Sequence, residues 1–122
     1  MSKTIMIVDD STSLRKLAGI LLKAAGYELI EACDGNDALS KLDGRKVHLI
    51  ISDINMPNMD GMTFMKTVKS LPHYKFTPIV MLTASYLESS RQEARKEGVK
   101  AWMVKPFARD KLLDIVSRFV QC

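Results

Sequence analysis

The chain has 122 residues, of which 47% are hydrophobic and 26% charged, with a formal net charge of +4. This suits one domain, over residues 1–122, that buries a single core, and argues against disorder. No apolar run is long enough to cross a bilayer, and the start reads directly into a strand rather than a signal peptide, so membrane insertion is not expected and the cytoplasm is the expected location. Cys33 and Cys122 form no CxxC pair and have no histidine cluster nearby, which leaves them as reduced thiols. The basic residues are spread along the chain with acids among them, so nucleic-acid binding is not implied.

In chain order, Thr4 to Val8 is a β-branched apolar run that stops at Asp9 and Asp10, with Ser11 to Ser13 beginning a helix. Leu14, Leu17, Ala18, Leu21, Leu22 and Ala25 repeat at helical spacing until Gly26. Tyr27 to Cys33 reads as a second strand, broken by Glu28 and Glu31 as an edge strand would be. Asp34, Gly35 and Asn36 make a turn, and Ala38, Leu39 and Leu42 give a short helix ending near Gly44.

The run from Val47 to Ile51 has the length and branching of a strand buried on both faces, and Asp53 falls at its end. Asn55, Pro57, Asn58, Asp60 and Gly61 are loop formers, with Asp60 suited to cap a helix that ends before Pro72. Ile79 to Thr83 is a fourth strand. A charged helix is expected from about Leu87 to Glu97, closed by Gly98, then a fifth strand from Ala101 to Val104, ending at Lys105. Leu112, Leu113, Ile115, Val116, Phe119 and Val120 supply the stripe of a last helix.

Alternating strands and helices mean right-handed crossovers and a doubly wound α/β fold: a five-stranded parallel sheet with five helices, of flavodoxin-like order 2-1-3-4-5. Its switch point lies between the strands that end in Asp9 and Asp10 and in Asp53. Thr83 and Lys105 end the neighbouring strands. Clustered carboxylates repel unless a cation neutralises them, and an all-oxygen donor set suits Mg²⁺, which is commonly bound with phosphate oxygens. Lys105 and Thr83 could then bind the phosphoryl group, with Asp53 as nucleophile.

Taken singly, each residue has a plainer explanation. Asp9 and Asp10 could be turn and cap residues, Lys105 a surface lysine, Thr83 a strand-end threonine, and Trp102 a packed aromatic. Met56, Met59, Met62 and Met65 suit core and loop contacts rather than metal, since a hard cation prefers oxygen. His48 and His73 read as a strand and a loop residue without catalytic roles. Arg91, Arg95, Lys96, Lys100, Arg109, Lys111 and Arg118 read as solvated helix surface, or else as a docking face.

Together, Asp9 and Asp10, the segment Asp53 to Gly61 (DINMPNMDG), Thr83 with Ala84, and Lys105 with Pro106 and Phe107 resemble the receiver domain of two-component response regulators, within it the single-domain CheY-like chemotaxis proteins. The resemblance runs end to end. It implies that Asp53 is the phosphoacceptor for a CheA-like histidine kinase, and that Asp9, Asp10, Asp53 and the backbone carbonyl of Asn55 hold Mg²⁺, Asp9 through water. It also implies that Lys105 pairs with the phosphoryl oxygens, that the Lys105–Pro106 bond is cis, and that Thr83 and Trp102 form the switch. The Trp102 position usually carries tyrosine in those chemotaxis proteins. The surface of the fourth helix, fifth strand and fifth helix would then change its affinity for partners, with a flagellar motor switch protein and a phosphatase implied. Asn55 and Ser85 flank the pocket and would tune the phosphoryl lifetime.

The chain would act as a monomeric switch, assisting only its own phosphorylation and autodephosphorylation rather than working as an enzyme. The methionine start and finished last helix suggest an intact small protein, the alternative being a stand-alone or excised receiver of a non-chemotaxis phosphorelay. An aspartate-nucleophile phosphatase would want an acid where Asn55 stands. A flavin module would want a phosphate-cradling loop where Asp9 and Asp10 stand.

Overall fold

The computed structural model describes residues 3–83, 99–105 and 107–120. Five strands, β1 (Thr4–Val8), β2 (Glu28–Ala32), β3 (Leu49–Asp53), β4 (Ile79–Thr83) and β5 (Ala101–Val104), form one parallel sheet in the order β2-β1-β3-β4-β5. Four helices are described: α1 (Thr12–Ala24), α2 (Gly35–Lys41), α3 (Gly61–Ser70) and the C-terminal α4 (Arg109–Phe119). The fourth of the five expected helices, about Leu87 to Glu97, lies outside the described residues, as do Ala84, Ser85, Arg91, Arg95, Lys96, Gly98, Pro106 and Cys122. No described helix is long and apolar enough to cross a membrane.

Because successive strand residues face opposite sides, β1 and β3 each feed two cores. Met6, Val8 and Ile50 pack with Ala38 of α2 and with Phe64, Met65 and Val68 of α3. Ile5, Ile7, Leu49 and Ile51 pack with Ala18 and Leu22 of α1 and with Leu112, Ile115 and Val116 of α4. Helices therefore cover both faces, and β1, β3 and β4 are buried at nearly every position.

The differences from the expected boundaries are small and have local causes. β2 stops at Ala32 because the Cys33 amide turns to donate to Asp37 Oδ2 at 3.0 Å. Val47 is buried but precedes the hydrogen-bonded part of β3, which starts at Leu49. Asp60 caps α3 as its position suggested, its Oδ1 accepting from the Thr63 amide at 2.8 Å. Met65 is buried, and Met56, Met59 and Met62 pack against the same cluster, which is the filling role their softness suits.

Candidate functional site

Parallel register brings the acids together. Val8 pairs with Ser52, so the next residues, Asp9 and Asp53, leave neighbouring strands side by side at the sheet's carboxyl edge. Asp53 pairs with Leu82 and Thr83 pairs with Val104, which carries the edge across to Lys105. The Lys105 amide donates to the Thr83 carbonyl at 2.8 Å, and this fixes the lysine's direction as it leaves β5.

Asp9 and Asp53 are buried and Asp10 is exposed. An oxygen from each of the three lies within 4.8 Å of the others. Lys105 Nζ reaches between the two buried carboxylates, 2.8 Å from Asp9 Oδ2 and 3.0 Å from Asp53 Oδ2. Among the described residues, Asp9 Oδ2 meets the Lys105 ammonium as its one polar side-chain partner. The other oxygens are held by backbone: the Ser11 amide donates to Asp9 Oδ1 at 2.8 Å, and the Asn55 amide to Asp53 Oδ1 at 3.1 Å.

Burial lifts the Asp53 carboxyl above its ordinary range, and the charge of Asp9 adds to the rise; the Lys105 hydrogen bond and the Asn55 amide oppose it. Burial pulls the Lys105 ammonium down, but the hydrogen bonds and charges of Asp9 and Asp53 outweigh it, and the net shift is upward. One cation is thus set against two buried carboxylates and a third exposed one. The all-oxygen donor set and its excess negative charge fit a hard divalent ion such as Mg²⁺.

Three contacts around the site are not readable from the sequence. Arg15, in the first turn of α1, donates to the Asp9 carbonyl and pairs with Glu31 at 3.5 Å, tying β1 to β2 below the acids. Gly61 donates to the Ile54 carbonyl at 2.8 Å and sits so close that a Cβ there would meet the Asp53 carbonyl oxygen at 2.5 Å. It reads as a turn former in the sequence, whereas its contact with β3 is tertiary. Asn58, at φ 70°, donates to Asp34 Oδ2 at 3.3 Å and links the loops after β2 and β3.

Thr83 is buried at the end of β4. Trp102 packs against the core cluster on the α2 and α3 side, and its buried Nε1 has no hydrogen-bond partner among the described residues. Asn55 is exposed, and only its amide contact with Asp53 is seen at the site.

Residues 5–117 match the family model described as the response regulator receiver domain. The chain belongs to the response regulator receiver family. Chemotaxis protein CheY4 of Vibrio cholerae is similar at 41% identity and a TM-score of 0.94, covering 98% of this chain and 100% of that one. Protein PilG of Pseudomonas aeruginosa is 34% identical over 95% of this chain and 86% of its own. The sensor kinase/phosphatase CqsS of Vibrio cholerae is 33% identical over 97% of this chain, but the matched region is only 17% of CqsS. The receiver fold accounts for the convergence of Asp9, Asp10, Asp53, Thr83 and Lys105 on one edge.

Proposed function

We propose that the chain is a single receiver domain over residues 1–122, whose Asp53 accepts a phosphoryl group from the phosphohistidine of a histidine kinase. An Asp53 carboxylate oxygen attacks phosphorus in line with the departing imidazole, so that an O–P bond forms as the N–P bond breaks and the electron pair stays on the ring nitrogen. The observation that carries this reading is Lys105 Nζ within 3.0 Å of Asp53 and beside the fully buried Asp9. That ammonium is positioned to move from the carboxylates to an incoming phosphoryl oxygen as a point charge. The Asn55 amide holds the other Asp53 oxygen and so fixes which one faces the donor.

Mg²⁺, held by Asp9, Asp10, Asp53 and the Asn55 carbonyl, would neutralise phosphoryl charge. Thr83 is the hydroxyl for a second phosphoryl oxygen. Trp102 follows it, since reorientation would offer a partner to its Nε1, which has none among the described residues; leaving such a donor unpaired costs about 1–3 kcal/mol. Phosphorylation then biases a two-state surface around β5 and α4. The outcome is a monomeric cytoplasmic switch that acts on no substrate beyond its own phosphoryl group.

The likeness to CheY4 favours chemotaxis, with a CheA-like kinase upstream and a flagellar motor switch protein and a phosphatase as partners. The likeness to part of CqsS favours a second reading, a receiver within a non-chemotaxis phosphorelay. Trp102 is the one tryptophan of the chain, so its fluorescence tests the switch directly. With Mg²⁺ and an acyl phosphate donor, the emission of the wild type should change and that of Asp53→Asn should not. An equal response in both proteins would overturn the proposal.

A further inference from the structure

The amino edge of the sheet, opposite the carboxylates, carries the inverse charge. There the Thr4 amide donates to His48 Nδ1 at 3.0 Å and the His48 amide to the Thr4 carbonyl at 2.8 Å, joining the starts of β1 and β3. Two clefts open beside this junction. One, of about 430 Å³, is walled by Pro72, His73, Phe76 and Thr77 together with Arg45 and Lys46. The other, of about 630 Å³, is lined by Lys23, Tyr27 and Glu28 and again by Arg45 and Lys46. Both volumes fall in the range of small-molecule sites.

Arg45 and Lys46 therefore form a cationic ridge between two aromatic-lined hollows. Arg45 pairs with Asp43 in an exposed contact at 3.1 Å, and Lys46 has no ion pair among the described residues. The surrounding field is positive. Burial, then the charges of Lys3 and Lys46, hold His48 below its ordinary value, and burial with Lys100 does the same to Lys69, whose Nζ donates to the Thr77 carbonyl of the first cleft. Phe76 is 88% exposed, with Lys75 Nζ 5.7 Å from its ring centroid, so a base stacking on it would meet an aromatic face already next to a cation.

We propose that this edge binds a dinucleotide, its phosphates on the Arg45–Lys46 ridge and one base in each cleft. The charge distribution decides the orientation. Glu28, which also accepts from Thr4 Oγ1 at 3.4 Å in an exposed contact, offsets Lys23 in the second cleft and can accept from the ring and amino N–H groups of a base such as guanine. Phe76 and His73 offer the first base flat surfaces, and only the shared ridge offers cations to both halves of the ligand. A mononucleotide fills one cleft and so forgoes the linked second contact. The site lies at the opposite edge of the sheet from Asp53 and shares no residue with it, so its binding can be measured without phosphotransfer.

The test is a titration of the full chain, followed by amide ¹H–¹⁵N spectra, with the 5′-phosphorylated dinucleotide pGpG, with GMP, with inorganic phosphate and with a glutamate hexapeptide at one ionic strength. The Tyr27 and Phe76 amides should shift together with pGpG, which should bind about tenfold or more tighter than GMP. Lys46→Ala, at an exposed position, should weaken pGpG by about tenfold, the order expected for a lost phosphate contact at low salt. Phe76→Ala should weaken pGpG while leaving phosphate unchanged. Shifts confined to one cleft, no shifts, or phosphate or the peptide binding as tightly as pGpG would overturn the proposal.

Discussion

Replacing Lys105 by methionine keeps the length of the side chain and removes the cation between Asp9 and Asp53. At an effective dielectric of about 20, each contact near 3 Å is worth about 6 kcal/mol of gross Coulomb attraction. Desolvation offsets much of this, and removing one partner of a buried pair typically costs about 3–5 kcal/mol. The Lys105 side chain is 22% exposed while that of Asp9 is fully buried, which points to the lower end, about 3 kcal/mol. The loss should appear in urea denaturation at neutral pH with a chelator present. Millimolar Mg²⁺ should restore more stability to Lys105→Met than to the wild type, because the variant's carboxylates have lost the cation that pairs with both; at one hundred times its dissociation constant a ligand adds about 2.7 kcal/mol. A loss below about 1 kcal/mol, the scale of an exposed pair, or an equal Mg²⁺ effect in both proteins, would refute the reasoning.

The close approach of Gly61 to the Asp53 carbonyl means that Gly61→Ala must displace backbone, with an expected cost of about 1–3 kcal/mol and slower phosphorylation, read by urea melts and by the rate of mass gain. Asp60→Ala removes the α3 cap and should cost about 1 kcal/mol in the same melts. His48 Nδ1 accepts the Thr4 amide, which only the neutral ring can do, and burial followed by the charges of Lys3 and Lys46 holds its folded value below 6.5. The unfolded chain therefore takes the proton first, so stability should be level above pH 6.5 and fall as pH drops from there toward the folded value. In His48→Gln that part of the pH profile should flatten, as measured by denaturation at each pH.

Much of the site was legible because strand burial and chain polarity carry it. The apolar runs before Asp9 and Asp53 have no reading but buried strands, and parallel pairing then leaves their terminal acids adjacent. Lys105 and Thr83 were legible through the same argument, since each ends a strand beside β3 or β4. Contacts between elements were not. Arg15 reads as an ordinary residue of an amphipathic helix until the first turn of α1 folds against the Asp9 carbonyl. Gly61 reads as a turn former, yet what requires a glycine there is the backbone of Asp53 and Ile54. Arg45, Lys46 and His48 stand together in the sequence, but only the fold brings His73 and Phe76 to the same cleft. Trp102 packs as its strand position suggests, while the lack of a partner for its Nε1 among the described residues has no signature in sequence.

The central claim is that Asp53 is the phosphoacceptor, and intact mass after incubation with Mg²⁺ and a small acyl phosphate tests it most directly. The wild type should gain the mass of one phosphoryl group, lose that gain when a chelator replaces Mg²⁺, and show none in Asp53→Asn. A gain that persists in Asp53→Asn, or no gain in the folded wild type, would contradict the account.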